Sequence, residues 1–137
     1  MQLTRFTDLG LRIVMRLAVE GPDAQLHTGD LADQLCVSYT HATKVVARLS
    51  EMGVIASTRG RHGGVCITRD GLDRRVGSLA RRLEPSGEVI DCEGANPCPL
   101  RRSCRLRDAL RSAQEAFFAD LDQWTVAEIA RPTMERK

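Results

Sequence analysis

Two short helices joined by a three-residue turn, a glycine-tipped β-hairpin directly behind them, and a long helix carrying an apolar stripe together predict a mainly α-helical fold with a small β-hairpin. That combination is a winged helix-turn-helix followed by a long C-terminal dimerisation helix. The length of 137 residues allows one globular domain with an appended arm and excludes a second full domain. Apolar residues make up 42% and charged residues 28%, as in an ordinary folded chain. Only Phe6, Tyr39, Phe117, Phe118 and Trp124 are aromatic, so the core is expected to be aliphatic.

The first helix follows from Leu9, Ile13 and Leu17 with Val14 and Ala18, apolar at helical spacing, with Thr7 as its expected N-cap and Gly21-Pro22 as its end. The second runs from Thr28 to Leu35, turning Leu31, Ala32 and Leu35 inward. Cys36-Val37-Ser38 forms the turn, Ser38 caps the third helix and Gly53 ends it. Runs of β-branched residues at Val54–Thr58 and Val65–Thr68 flank Arg59-Gly60-Arg61-His62-Gly63-Gly64, which predicts the hairpin. Leu72, Val76, Leu79 and Leu83 predict one fourth helix from Gly71 to Leu83, closed by Pro85. Residues 86–103 are irregular, with two glycines and two prolines. Leu106, Leu110, Ala113, Phe117, Leu121 and Trp124 then lie on one stripe of a long helix, and Thr125-Val-Ala-Glu128 is a capping box that starts a last short one. The chain thus divides into residues 1–84, a winged helix-turn-helix; 85–104, a cysteine loop; and 105–137, the dimerisation helix and tail. A reading head of about 80 residues closes on itself. The stripe therefore calls for a second copy of the chain or for its own core, and symmetric two-fold dimers are the commonest assembly.

The net charge of +2 is too small to establish a nucleic-acid partner, so a local surface must carry that case. Only Lys44 and Lys137 of the twenty cations are lysines, and arginine is the better fork for phosphate and guanine. On the third helix Ala42, Val45, Val46, Leu49 and Met52 share one side. Thr40, Thr43, Lys44 and Arg48 share the other, flanked by Tyr39 and His41. A helix lying in a major groove needs that division, with Lys44 and Arg48 for phosphate or guanine and Ser38, Thr40 and Thr43 for base edges or phosphates. A solvated polar face would look the same in isolation. The hairpin beside it favours double-stranded DNA, with Arg59 and Arg61 placed to enter a narrow minor groove. A nucleotide-binding phosphate loop is excluded because no strand-loop-helix with a Walker lysine surrounds these glycines.

Cys92, Cys98 and Cys104 stand at two gaps of five residues in one loop. Structural zinc sites take shorter gaps and four ligands, so the pattern is a poor zinc ribbon, and an iron–sulfur cluster fits better because its thiolates sit on separate irons. Zinc and three unligated thiols remain the alternatives. Arg101, Arg102, Arg105 and Arg107 crowd the loop and favour thiolates. Cys36 and Cys66 lie elsewhere and read as small hydrophobes. A fourth ligand must come from another residue, solvent or a partner chain, with Asp8, His41, Glu84 and Asp91 as candidates. No H-E-x-x-H, G-x-S-x-G or dinucleotide fingerprint is present, which argues against an enzyme. Apolar runs near the N-terminus stop at three residues, so neither a signal peptide nor a membrane span fits, and a cytoplasmic protein is expected.

The opening Gln2-Leu3-Thr4-Arg5-Phe6-Thr7-Asp8-Leu9-Gly10-Leu11-Arg12, the wing Arg59 to Gly64, the Leu83-Glu84-Pro85 step and the three-cysteine loop resemble the NsrR-type nitric oxide-sensing repressors over nearly the whole chain. That group belongs to a bacterial winged-helix superfamily that also contains IscR. The resemblance implies a homodimer with one iron–sulfur cluster per subunit, 4Fe-4S in preference to 2Fe-2S, that binds operator DNA until nitric oxide destroys the cluster. Carried onto this chain, the ligands are Cys92, Cys98 and Cys104 with an oxygen of Asp8 of the partner subunit; a weak oxygen ligand would leave one labile corner for a small molecule. Asp8 otherwise stabilises the start of the first helix. IscR-type sites place a histidine three residues after the last cysteine, and Arg107 stands there, so that site is disfavoured. The alternative is a regulator of the same fold sensing cluster supply, iron or redox state.

Overall fold

The computed structural model describes residues 1–135; Arg136 and Lys137, the end of the expected tail, lie outside the described residues. The order is α1 (Arg5–Glu20), α2 (Thr28–Gln34), α3 (Tyr39–Glu51), β1 (Ile55–Thr58), β2 (Gly64–Ile67), α4 (Arg69–Asp73), α5 (Val76–Leu83), α6 (Arg105–Leu121) and α7 (Val126–Glu135). The predicted winged helix-turn-helix is present. Ile13, Leu17, Leu31, Val45, Leu49, Val54, Ile55, Ile67, Leu79 and Val126 form its aliphatic core, each at most 2% exposed. Burying one such side chain contributes roughly 1.5–3 kcal/mol relative to exposure.

Helix α1 starts one turn earlier than the sequence predicts. Thr4, not Thr7, is the N-cap, its hydroxyl accepting from the Thr7 amide at 3.3 Å. Thr7 is fully buried instead, and its hydroxyl donates to the Glu84 carboxylate. Glu84 also accepts from the Thr4 amide at 3.1 Å and the Thr4 hydroxyl at 2.6 Å, so an acceptor supplied from the end of α5 anchors the extra turn. Burial raises the Glu84 pKa, but the hydrogen bonds from Thr4 and Thr7 outweigh it and hold the carboxyl below its ordinary value.

The turn between α2 and α3 passes through Cys36 at φ 57°, and the Ser38 hydroxyl caps α3 by accepting from the His41 amide at 3.1 Å, as expected. β1 and β2 pair antiparallel with Ile55 opposite Ile67 and Thr58 opposite Gly64, and a bridge joins Leu26 to Val65 on the free edge of β2. The predicted single helix from Gly71 to Leu83 is two helices. At Arg74 and Arg75 the backbone leaves the helical path because the Arg74 carbonyl accepts from the Val126 amide at 3.0 Å and the Val76 amide donates to the Trp124 carbonyl at 2.9 Å. Tertiary hydrogen bonds to the start of α7 thus override the local apolar spacing.

Helix α6 packs on α5, and α7 packs on α1 and α4, where its Val126 and Ala130 join the core of the reading head. Phe118, next to the predicted stripe rather than on it, is the aromatic that docks α6 and is 2% exposed. The Arg81 guanidinium lies 4.5 Å from its ring centre and forks onto Glu115 at 2.9 and 2.7 Å. The stripe is left outside this contact, with Leu106 at 63% and Trp124 at 41% exposure. The expected capping box forms, Thr125 and Glu128 each accepting the other's amide.

Candidate nucleic-acid interface and cysteine loop

Helix α3 buries Ala42, Val45, Val46, Leu49 and Met52 against the core, which turns Tyr39, Thr40, Thr43 and Lys44 outward. His41 is half-buried at the flank and Ser38 is exposed while its hydroxyl caps the helix. Thr43 donates its hydroxyl to the Tyr39 carbonyl at 2.8 Å. Arg48 differs from the others on its face: its Nη2 donates to the Arg82 carbonyl at 3.3 Å and its Nη1 lies 3.8 Å from Glu51, so the side chain leans towards α5. At the wing tip Arg59, Gly60, Arg61 and His62 are all exposed. Reading helix and wing therefore offer donors and cations on a surface that the core does not use.

The irregular stretch after α5 places Cys92 in a buried position, 7% exposed, with Cys98 and Cys104 half-buried beside it. The Cys98 amide donates to the Cys92 carbonyl at 3.0 Å, which folds the first gap into a closed turn. Burial raises the Cys92 thiol above its ordinary pKa; Arg107 opposes this, while Glu88, Cys98 and Cys104 add to it. Cys98 and Cys104 thus both lie near Cys92. Among the described residues no three His, Cys, Asp or Glu side chains converge as a single ion would require. A cluster instead takes thiolates on separate irons from donors spaced along a wrapping loop, and this donor set, three thiols from one loop, suits it. Cys36 is exposed in the helix turn and Cys66 half-buried in β2, both apart from the loop in sequence and element.

The four candidates for a further ligand are unequal. Glu84 is committed to Thr4 and Thr7. Asp91 is exposed within the loop and His41 half-buried on α3. Asp8 is exposed on the first turn of α1, paired with Arg12 at 2.6 Å, beside a hollow of about 420 Å³ lined also by Arg5, Leu9, Cys36 and His41. The ion pairs that organise the loop were not legible in the sequence. Of the four crowding arginines, Arg102 and Arg105 are exposed, whereas Arg101 and Arg107 turn inward onto Glu93 and Glu88. The only available signal was the presence of acidic residues on either side of Cys92.

Arg107 and Arg111 hydrogen bonds hold the Glu88 carboxyl down to about 2, and Glu115 is lowered in the same way by Arg81. A carboxyl whose pKa falls on folding stabilises the fold above its unfolded value and loses that contribution as pH falls through the folded one. The urea midpoint is therefore expected to be level above about pH 5 and to decline from there towards about pH 2, less steeply in Glu88→Gln than in the parent. Parallel declines in the two proteins would remove Glu88 from the acid response.

A two-helix reading head with an exposed polar face, set beside a basic wing, defines a winged-helix DNA-binding regulator. The chain belongs to the Rrf2 family, described as iron-dependent transcriptional regulators, which it matches over residues 3–132. It is 54% identical over 135 residues to the HTH-type transcriptional repressor NsrR of Streptomyces coelicolor, covering 97% of this chain and 91% of that protein. It is 34% identical to the HTH-type transcriptional regulator NsrR of Geobacillus kaustophilus over 94% of this chain and 89% of that one. Among solved structures it resembles T. potens IscR, with a TM-score of 0.77 at 19% identity over 100% of this chain and 91% of that chain, which shows the shared winged-helix fold. The resemblance carried by the opening segment, the wing and the cysteine loop is thereby supported, and the family and its relatives are transcriptional regulators, not enzymes. Among the described residues no helix is long and apolar enough to cross a membrane.

Proposed function

We propose that this chain acts in the cytoplasm as a homodimeric repressor whose Cys92, Cys98 and Cys104 hold an iron–sulfur cluster, 4Fe-4S, and whose operator affinity falls when nitric oxide destroys it. The observation that carries the reading is the presence of three free thiols on one loop in a chain 54% identical to a repressor named NsrR. When bound, the cluster supplies iron as the site of attack by nitric oxide. The chain supplies three thiolates and a carboxylate oxygen from Asp8 of the partner subunit, while Arg107, already paired with Glu88 and Glu93, only partly offsets what raises the Cys92 thiol. The half-exposed stripe of α6 and the α1 hollow of about 730 Å³ lined by Leu11, Met15, Val19 and Leu35 are the surfaces a second copy would cover. A link between Asp8 and the loop of the other subunit would tie the spacing of the two reading heads to the state of the cluster.

Such a switch acts only through different affinities of the two states for DNA. The anaerobically reconstituted protein is expected to bind its operator at least about tenfold more tightly than the apoprotein, a coupling of about 1.4 kcal/mol, and to release it on titration with nitric oxide. Equal affinities would remove the switch. A cluster indifferent to nitric oxide, yet still governing binding, would point to sensing of cluster supply, iron or redox state.

Within this reading Ser38, Tyr39, Thr40, His41, Thr43 and Lys44 face the major groove, Arg48 stands at its edge turned towards α5, and Arg59 and Arg61 face the minor groove. The operator is an inverted repeat with half-sites about one helical turn, or a multiple of it, apart. Lys44→Ala is expected to weaken operator binding several-fold and to flatten its salt dependence by about one unit of slope, with the dimer unchanged. Arg48→Ala is expected to do less, because Arg48 is already engaged by the Arg82 carbonyl. Electrophoretic shifts at several salt concentrations check both, and an unaltered Lys44→Ala slope would take α3 out of the groove.

A further inference from the structure

We propose that Arg107 is the positioning residue of the cysteine loop, one guanidinium gripping the segments around all three thiols so that the loop is shaped before any cluster enters it. The proposal rests on the reading of Cys92, Cys98 and Cys104 as ligands.

The stretch between α5 and α6 is long and has no regular structure, and such stretches are mobile unless something holds them. Apolar burial does not hold this one. Val89 is 43% exposed, Ile90 38% and Leu100 68%. The polar contacts of Arg107 take that place. Its Nε donates to Glu88 at 2.8 and 3.1 Å and its Nη2 to Glu88 at 2.6 Å, which fixes the segment before Cys92. Its Nη1 donates to Glu93 at 3.2 Å, directly after Cys92, and to the Arg101 carbonyl at 2.9 Å, between Cys98 and Cys104. Arg107 itself lies in the first turn of α6, just past Cys104. A relay extends the grip: Arg101 pairs with Glu93 at 3.2 Å and donates from Nη1 to the Cys98 carbonyl at 3.0 Å, and Cys98 is bonded to the Cys92 carbonyl.

Every stretch that flanks a thiol is thus bonded, directly or through one neighbour, to a side chain only 12% exposed. The geometry calls for arginine. A planar fork with five donors can serve two carboxylates and a carbonyl at once, whereas a lysine is a single point charge without that fork. Outer residues that orient ligands decide how well a metal group is held. By this arrangement the grip on the loop comes from the chain itself and outlasts loss of the metal.

The test uses the full chain as apoprotein, in parent, Arg107→Lys, Arg107→Leu and Glu88→Gln forms. Amide hydrogen exchange over residues 88–104 is read against exchange in α3, together with the rate at which iodoacetamide alkylates Cys92. Arg107→Leu and Arg107→Lys are both expected to speed loop exchange and Cys92 alkylation by roughly tenfold or more, with α3 unchanged. Adding Glu88→Gln to Arg107→Leu should have a smaller effect than Glu88→Gln alone, because only the Arg111 pair at 2.7 Å is left for it to remove. In reconstituted protein, iron loss to a chelator should accelerate in the same order. Rescue by lysine would overturn the fork. Equal loop exchange in parent and Arg107→Leu would overturn the grip while leaving the cluster reading intact, and loss of α3 protection would make Arg107 a general stabiliser instead. A parent protein that takes up no iron and sulfide would overturn the proposal from beneath, a result distinct from the others because its apoprotein loop would still depend on Arg107.

Discussion

Alanine in place of Cys92, Cys98 or Cys104 is expected to abolish retention of the iron–sulfur cluster, whereas Cys36→Ala and Cys66→Ala should retain it in full. The three loop thiols lie on one segment, Cys92 buried and Cys98 and Cys104 half-buried. A cluster held by three cysteinyl thiolates and one weak oxygen has no spare thiolate, so the loss of one leaves only two strong donors. Cys36 and Cys66 stand on the α2–α3 turn and on β2, where neither shares the loop. Iron and sulfide content after anaerobic reconstitution, with the visible absorbance, measures the outcome. A cluster retained by Cys98→Ala, or lost by Cys36→Ala, would contradict the assignment. The loop variants should also bind operator with the affinity of the apoprotein, which separates loss of the cluster from loss of the fold.

The second large effect falls on a glycine far from any thiol. Gly77→Ala is expected to destabilise the fold by about 3 kcal/mol, because a methyl at this position has nowhere to go. Its Cβ would lie 1.9 Å from the Phe118 carbonyl oxygen and 2.7 Å from the Asp122 carboxylate. Both belong to the α6 segment that docks on α5. The Asp122 carboxylate accepts from the Ser78 amide at 2.6 Å and from the Ser78 hydroxyl, so a shift that relieves the clash breaks these hydrogen bonds as well. Gly29→Ala is the matched control. It lies in α2 with nothing within 4 Å of the added atom, and should be neutral or stabilising by up to about 1 kcal/mol. Urea unfolding of the two variants gives the comparison. A Gly77→Ala protein as stable as the parent would mean that α6 does not sit against α5 as closely as described.

Much of the architecture was legible in the residues. The apolar spacing of α1 and α3, the Ser38 cap, the β-branched runs of the wing and the Thr125–Glu128 box are local signals, and each formed where its pattern lies. The three cysteines and the divided faces of α3 were equally plain, because donor spacing and helical periodicity are properties of neighbouring residues. Three of the differences between sequence and structure share one reason. The cap of α1 moved to Thr4 because Glu84, eighty positions away, supplies its acceptor. The fourth helix broke at Arg74 and Arg75 because residues 124 and 126 take its backbone groups. Phe118, not the stripe beside it, became the anchor of α6 because α5 presents Gly77 and Arg81 to that side.

The sequence by itself determined the helices, the wing, the polar face of α3 and the set of three thiols, all encoded at separations of a few residues. Only the tertiary structure decided which arginine holds the cysteine loop, which carboxylate anchors the first helix, and that Arg48 leans away from its neighbours on α3. An ion pair or a tertiary hydrogen bond joins residues whose distance along the chain carries no periodic trace, so its partners become visible only when packing has brought them together.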